Sequence, residues 1–244
     1  MTWIFNLVLA MSVFGTQDID SLRMEFPRVE HAAVNTHGIL KDLCVQKGLI
    51  LPLDKVFIRT FKEEKIMEVW GANGGELQLL KSYPVCTVPG KLGPKVRQGD
   101  RQVPEGWYQI DSINPLSSFH LSMRINYPNT ADLVRSRNEK DPGGDIFIHG
   151  DCYSVGCIPI EDEPMEEVFW LAVQSLYAFK EQAIQVLILP FNLNDEEKYA
   201  KNLQQFPHHK EFWEELKGID LYFEELKDLP DVYVDEEGRY QIRY

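Results

Sequence analysis

The chain has 244 residues, of which 44% are hydrophobic and 26% are charged. That length allows one substantial hydrophobic core, and the balance is that of a globular protein rather than a disordered one. The formal net charge of −13 argues against nucleic acid or an anionic membrane as a partner, because basic patches bind both of these.

The N-terminal segment MTWIFNLVLAMSVFG, residues 1–15, has no charged side chain and is almost continuously apolar. A bilayer-spanning helix takes about 20 apolar residues, so this segment is too short to be one. Val13 and Gly15 fit the small-residue pattern before a signal peptidase cut. The sequence therefore predicts a signal peptide and an exported protein of the periplasm or cell envelope. A buried first strand and a membrane anchor are the alternatives.

Residues 16–52 predict a helical lead-in around VEHAAVNTHGILKDLCVQKGL, which Gly48 and Pro52 end. The pattern then changes to the alternation typical of strands. VFIRTF and IMEVW, separated by KEEK, predict a β-hairpin. Further strands are predicted in ELQLLKSYPVCTV, GWYQIDSI, FHLSMRI and DIFIH, with Gly, Pro and Asn between them.

The chain after residue 160 alternates between helices and strands. Pro164 stands where a first helical turn tolerates proline, and apolar residues from Val168 to Phe179 recur at helical spacing. AIQVLILPF then predicts a buried strand. Together with the preceding strands, this helix predicts an α+β fold that is mainly β with flanking helices.

The region from residue 194 onward is acidic and predicts two helices and a hairpin. Asn194, with Glu197 three residues later, resembles a capping box that opens the first helix. HKEFWEELKG predicts the second, which Gly218 ends, and VYVDEEGRYQIRY predicts a closing hairpin about Glu237 and Gly238. This region is either an appendage that packs on the core or a surface for a partner.

The segment DIFIHGDCYSVGCIPI, residues 145–160, places His149 at the end of a predicted strand and Cys157 eight residues later. Nucleophilic cysteine chemistry needs a thiolate, and a nearby imidazole supplies it by taking the proton. Gly156 lets the backbone approach a reacting carbonyl, and the N–H groups beside Cys157 are candidate oxyanion donors. Ser154 can tie the loop to its own backbone or to a ligand.

The disulfide state of the four cysteines, Cys44, Cys86, Cys152 and Cys157, stays open. In an exported protein, an even number allows two bridges, one or none. We expect Cys152 to be buried or free. A Cys152–Cys157 bridge is the alternative that would silence the nucleophile. A zinc site that begins with His149, Cys152 and Cys157 is a weaker alternative, because the spacing fits none of the common zinc patterns.

This segment resembles the signature of the L,D-transpeptidase catalytic domain, or YkuD domain, and of its YafK-like branch. The signature runs from a strand-borne His-Gly pair to a loop of Ser, one variable residue, Gly and Cys. It is carried here by His149, Gly150, Ser154, Gly156 and Cys157. Further segments resemble the branch in the same order: VFIRTFKEE, EVW, YPVC, GKLGPKVRQGDRQVPEGWY and NPLSSFHLSMRINYPN.

The resemblance implies a β-sandwich-like catalytic domain over residues 53–193 that acts on peptidoglycan stem peptides. Cys157 would attack the carbonyl of the third-position diamino acid, with His149 as its base. The thioester would pass to an amine or to water. Some YafK-like members release a lipoprotein from murein, so a wall-linked lipoprotein is a second candidate partner. Thiolate and imidazole suffice for this chemistry, so no metal or organic cofactor is expected.

The domain boundaries that follow are a signal peptide over 1–15, a lead-in over 16–52, the catalytic domain over 53–193 and an acidic extension over 194–244. Most YkuD domains have a His between the Ser and Gly of the motif, where this chain has Val155, and a polar or basic residue soon after the Cys, where it has IPI. The branch shares the first departure, which therefore does not indicate inactivation. The second weakens transfer to an amine, so hydrolysis is slightly favoured. A non-catalytic cell-wall-binding module on the same fold is the alternative.

Three further residues are candidate substrate contacts. His120 lies in a stretch that flanks the active cleft of related domains, and Tyr153 lies in the loop before Cys157. Arg124 shares the face of His120 on the predicted strand, where its guanidinium could pair with a stem-peptide carboxylate. A core or surface histidine and a solvated strand face are the alternatives. Four basic residues, either beside the cleft or in a solvated loop, complete the set: Lys91, Lys95, Arg97 and Arg101.

Overall fold

The computed structural model describes residues 18–243. The predicted signal peptide, residues 1–15, lies outside them. Within the described range the strands are β1 Lys55–Phe61, β2 Ile66–Ala72, β3 Gln78–Pro84, β4 Gly106–Asn114, β5 Ser122–Ile125, β6 Phe147–His149, β7 Ile158–Pro159, β8 Gln185–Leu189, β9 Asp231–Val234 and β10 Tyr240–Arg243. The α-helices are α1 Ile19–Glu25, α2 Pro27–Gln46, α3 Thr130–Arg135, α4 Asp162–Ala178, α5 Glu196–Gln205 and α6 Lys210–Leu226.

Strands β1 to β8 form one curled sheet in the order β3-β2-β1-β8-β4-β5-β6-β7, and β9 pairs with β10 separately. Strand β8 lies between β1, to which it is parallel, and β4, to which it is antiparallel. The first half of β4 pairs with β8 and its second half with β5. A register shift between Ile110 and Ser112 accompanies this change of partner, and such irregularities bend a strand.

The sheet is buried on both faces, as alternate residues of β8 show. Val186 and Ile188 lie in a hydrophobic cluster with the N-terminal helices and α4, whereas Leu187 and Leu189 lie in a cluster with α6. Two buried faces explain why β8 reads as a continuous apolar run rather than an alternating one. Both the lead-in and the acidic region therefore pack on the core.

The structure confirms the predicted α+β class. The β1–β2 hairpin pairs from Lys55 with Ala72 to Phe61 with Ile66. Helix α4 begins at Asp162, with Pro164 in its first turn, and buries its apolar face. The lead-in contains α2, which ends before Gly48, and the chain closes with the β9–β10 hairpin.

Two predicted helix boundaries were wrong. The cap of α5 is Asp195, whose side chain accepts from the Lys198 N–H at 3.0 Å, rather than Asn194. Helix α6 continues through Gly218 and ends at Leu226. Burial of Ile219 and Phe223 on its core-facing side outweighs a glycine penalty of about 1 kcal/mol.

Candidate active site

The candidate catalytic residues lie on two neighbouring strands. His149 is the last residue of β6, and Cys157 directly precedes β7. These strands are parallel, with Ile148 opposite Ile158 and His149 opposite Pro159. Because side chains alternate along a strand, His149 points away from the face of Ile148, and Cys157 contacts the backbone of β6 through the Phe147 N–H. The structure therefore brings the two predicted residues to neighbouring segments at one edge of the sheet.

The two side chains are held by different partners in this state. The Phe147 N–H donates to Cys157 Sγ at 3.4 Å, and the thiol points to the Asp145 carbonyl at 3.7 Å. His149 Nδ1 lies 2.5 Å from the Gly150 carbonyl. A carbonyl only accepts, so Nδ1 carries the proton and Nε2 is the nitrogen available as a base.

Burial sets the protonation of both groups. It raises the pKa of the Cys157 thiol, assisted by the Asp145 carboxylate and opposed by the Phe147 N–H and the Lys95 ammonium. It lowers the pKa of His149, against the Gly150 carbonyl and Asp151. Both the thiol and the imidazole are therefore neutral at rest, and the imidazole is free to accept a proton at neutral pH.

Ser154 organises the loop between the strands. Its Oγ accepts from the Gly156 N–H at 3.1 Å and from the Cys157 N–H at 2.8 Å, and it donates to the Cys157 carbonyl at 2.9 Å. Of the two roles considered for Ser154, the structure adopts the tie to its own backbone. Both amides that were expected as oxyanion donors are therefore occupied in this state.

Gly150 and Gly156 each stand where the backbone meets a neighbouring segment. A Cβ on Gly150 would lie 2.6 Å from Asp162 Oδ1, 2.9 Å from His120 Cβ and 3.1 Å from the Phe119 carbonyl. A Cβ on Gly156 would lie 3.4 Å from the Gln102 carbonyl. The segment between β3 and β4 therefore contacts the Cys157 loop, and the residues just before β5 pack against Gly150.

The three candidate substrate contacts lie apart from one another. His120 precedes β5 in the left-handed conformation, with φ of 64°, so the expected alternation with Arg124 does not hold. Its Nε2 lies 2.8 Å from Glu166 Oε1. Arg124 pairs with Asp111 at 2.9 Å and Asp145 at 3.7 Å. Tyr153 is 67% exposed in the loop.

Among the four basic residues, Lys95 is the one that acts on the thiol, since its charge lowers the pKa of Cys157. It is buried and pairs with Asp100. Lys91, Arg97 and Arg101 are exposed, as the solvated-loop interpretation expects.

The disulfide joins Cys86 to Cys152, which corrects the expectation that Cys152 is buried or free. Cys152 is in fact exposed, and its sulfur is unavailable both to Cys157 and to a metal. Cys44 and Cys157 are free. The bridge ties the start of the segment after β3 to the loop that precedes Cys157. The alternative of a Cys152–Cys157 bridge is therefore wrong.

Three residues around the site were missed by sequence reasoning. The ring of Phe119 lies 4.8 Å from that of His149. Glu166 joins α4 to His120, and buried Lys62 donates to the carbonyls of Lys91, Gly93 and Val103 and to Glu105. All of these contacts cross long stretches of chain, for which a single sequence carries no signal.

Two kinds of feature are absent from residues 18–243. No grouping of three or more His, Cys, Asp or Glu side chains there could hold a metal ion. Nor does that part of the chain contain a helix with the length and apolarity needed to cross a membrane.

Comparison with known proteins identifies the family. The profile of the L,D-transpeptidase catalytic domain, YkuD, matches residues 55–174. The chain is 37% identical over 189 residues to "Putative L,D-transpeptidase YafK" of Escherichia coli strain K12. The aligned region covers 77% of this chain and 73% of that protein. The chain belongs to the L,D-transpeptidase family. Members of this family are acyl-transfer enzymes that act on peptidoglycan stem peptides.

Solved structures similar to this L,D-transpeptidase family member are more distant. Pgp2 of Campylobacter jejuni, a helical cell shape determining protein, is 24% identical with a TM-score of 0.46. The match covers 57% of this chain and 50% of Pgp2, so the chain spans about half the length of that protein. Bd1075 of Bdellovibrio bacteriovorus is 22% identical with a TM-score of 0.39, over 70% of this chain and 62% of Bd1075.

Proposed function

We propose that the protein is an exported cysteine enzyme of peptidoglycan remodelling that forms a thioester with the third-position diamino acid of the stem peptide. The observation that supports this proposal is the position of His149 at the end of β6 and of Cys157 directly before the paired strand β7, within a chain of the L,D-transpeptidase family. His149 Nε2 is the base, because Nδ1 faces the Gly150 carbonyl.

The reaction begins as Sγ attacks the substrate carbonyl while its proton passes to His149 Nε2. The neutral resting pair favours this order, since the proton leaves as the S–C bond forms. The tetrahedral intermediate collapses, the C–N bond to the next group breaks, and His149 returns the proton to the departing amine. Water or an acceptor amine then attacks the thioester carbonyl while the same imidazole takes its proton, the C–S bond breaks, and the proton returns from His149 to Sγ.

The amides of Gly156 and Cys157 are the nearest donors for the developing oxyanion. These two N–H groups can donate to the oxyanion when the Ser154 hydroxyl turns away. While the hydroxyl stays in place, each N–H can share its hydrogen between Ser154 Oγ and the oxyanion. Preorganised donors of this kind contribute about 3–4 kcal/mol each to the lowering of the barrier. Ser154 then serves as the resting partner that keeps both N–H groups in place and satisfied.

Water is slightly favoured over an amine as the acceptor. The residues after Cys157, where most family members carry polar groups, are buried here: Ile158 is 1% exposed and Ile160 is fully buried. Neither can contact an acceptor. The exposed side chains that lie nearest to Cys157 along the loop, Tyr153 and Val155, carry no charge to hold an ammonium or carboxylate. The favoured reaction is therefore hydrolysis of a bond between murein and a peptide or a wall-linked lipoprotein.

Incubation of purified sacculi with the wild-type protein tests this proposal. Cys157→Ala removes the nucleophile, and Cys44→Ser is the matched control that removes the other free thiol. Muropeptide profiles should change with wild type and Cys44→Ser but not with Cys157→Ala. A released peptide with a free carboxyl group means hydrolysis, and cross-links between third-position diamino acids mean transfer. Identical profiles for all three proteins, each bound to sacculi, would instead support the cell-wall-binding module.

Export is supported by the apolar segment over residues 1–15 and by the Cys86–Cys152 disulfide, since such bridges persist in oxidising compartments. N-terminal sequencing of the protein recovered from the cell envelope tests this part. A first residue of Thr16 is expected. Recovery of the intact N-terminus from the cytosol would contradict it.

A further inference from the structure

Helix α2 contacts the segment that packs on His149, although it lies outside the residues that match the catalytic domain, 55–174. Arg28, in the first turn of α2, donates from Nη1 to two carbonyls. These are Ser117 O at 2.6 Å and His120 O at 2.7 Å. One guanidinium nitrogen thus bridges both ends of the four-residue turn that carries Phe119.

A second set of contacts holds the same turn from α4. Glu166 Oε1 receives His120 Nε2 at 2.8 Å and also His31 Nδ1, from α2, at 3.0 Å. The Glu166 side chain is 7% exposed. His120 has a positive φ of 64°, a conformation that costs free energy in a residue other than glycine. Such a conformation persists when surrounding contacts fix it, and here Glu166 holds the His120 side chain while Arg28 holds its carbonyl.

The turn presents one side chain to the candidate catalytic histidine. The Phe119 ring lies 4.8 Å from the His149 ring at an interplanar angle of 35°. The segment also lies against the residue after His149, because the Gly150 N–H donates to the Leu121 carbonyl at 3.1 Å. The residues on both sides of His120 therefore limit the position of the His149 imidazole: Phe119 through its ring, and Leu121 through its bond to Gly150.

We infer that Arg28 is a positioning residue of the active site, which fixes the 117–120 turn so that Phe119 holds the His149 ring in place for proton transfer. The inference rests on the proposed function for its catalytic meaning and on the contacts above for its structure. It makes helix α2 part of the catalytic apparatus. A displacement of about 1 Å in a reacting group can cost on the order of 100-fold in rate, so the ring needs this support.

The test uses the full chain and two readouts. The first is the NMR resonance of the His149 imidazole protons, which the Phe119 ring current shifts. Arg28→Ala and Phe119→Leu should both move this resonance towards the position of an unstacked histidine. Arg28→Lys keeps a donor for the carbonyls and should move it little. The matched control is Arg23→Ala, which removes an arginine that pairs with Glu30 of α2 at 2.7 Å and for which the structure gives no bond to the turn.

The second readout is turnover of a stem tetrapeptide. Arg28→Ala should lower kcat by on the order of 10- to 100-fold with KM little changed, and Arg28→Lys should recover most of the loss. An unmoved His149 resonance in folded Arg28→Ala overturns the inference. If Arg28→Ala does not fold, Phe119→Leu decides through turnover: an unchanged kcat overturns the inference equally. An inactive wild type would refute the proposed function, whereas the NMR result would still decide the positioning.

Discussion

The Ser154 hydroxyl holds Cys157 at both ends of its backbone: it accepts from the Cys157 N–H at 2.8 Å and donates to the Cys157 carbonyl at 2.9 Å. It also accepts from the Gly156 N–H. One side chain thus satisfies two amides and one carbonyl in the turn that leads into β7. The position of the thiol depends on this small network.

Ser154→Ala should therefore lower both stability and turnover. Two half-buried amides lose their acceptor, which we expect to cost about 1–3 kcal/mol of unfolding free energy. Turnover should fall by on the order of 10-fold or more as the loop loses its fixed geometry. Denaturant unfolding and muropeptide release measure the two effects. Ser154→Thr keeps the hydroxyl and should stay close to wild type, and equal activity of Ser154→Ala would contradict the role of this network.

The second prediction concerns the ionisation of Cys157. Burial raises the pKa of the thiol and lowers that of His149, so we expect no thiolate–imidazolium pair in the free enzyme. In a Cys44→Ser background, the rate of alkylation by iodoacetamide should rise continuously from pH 6 to beyond the ordinary thiol pKa of about 8.5. His149→Gln should leave this curve nearly unchanged while abolishing turnover. A plateau of fast alkylation below pH 7 that His149→Gln removes would show a preformed ion pair instead.

The third prediction concerns the disulfide. The free thiols are Cys44, which is buried, and Cys157. Ellman's reagent should therefore find one reactive thiol in the native protein, two after unfolding and four after reduction. The bridge closes a separation of 66 residues, so the Cys86→Ser, Cys152→Ser double variant should lose about 4 kcal/mol of unfolding free energy. Four thiols in unreduced, unfolded protein purified from the envelope would contradict the bridge.

The fourth prediction is a pH dependence of stability. Burial raises the pKa of Asp132 to about 7, against the Asn129 N–H, the Tyr108 hydroxyl and Arg135. The unfolded value is about 3.9. Between these two values the folded state binds more protons than the unfolded state, so this carboxyl makes stability fall as the pH rises from about 4 to about 7.

Asp132→Asn should remove this contribution, so its unfolding free energy should fall less than that of wild type across this range. Urea titrations at several pH values measure the difference. Glu139→Gln, at an exposed position, is the control and should follow the wild-type slope. A variant with the same slope as wild type would show that Asp132 is ionised at no cost in the folded protein.

The sequence predicted the features that depend on nearby residues. The β1–β2 hairpin and α4 follow from periodicity and turn residues. The resemblance pointed to His149 and Cys157 because the strand that ends at His149 and the motif that ends at Cys157 are adjacent in the sequence. Features that depend on distant residues were missed. The position of β8 between β1 and β4 and the pairing of Cys86 with Cys152 are fixed by the whole sheet, which local patterns do not contain.

The errors have local physical causes as well. Arg124 does not share the surroundings of His120, because the positive φ at His120 interrupts the alternation before β5 begins at Ser122. The end of α6 was placed too early, because burial of its C-terminal turns carries the helix past Gly218. The oxyanion donors were assigned without the Ser154 contact, since the rotamer of a hydroxyl cannot be deduced from its position in a motif.

The late strand β8 has a consequence for synthesis. It separates β1 from β4 in the sheet, so the half that bears Cys157 has no hydrogen-bonded neighbour on that side until residues 185–189 have been made. A ribosome that stops before this point leaves two unjoined fragments of sheet. A chain that ends before residue 185 therefore lacks the strand that joins β3-β2-β1 to β4-β5-β6-β7, the part of the sheet that carries His149.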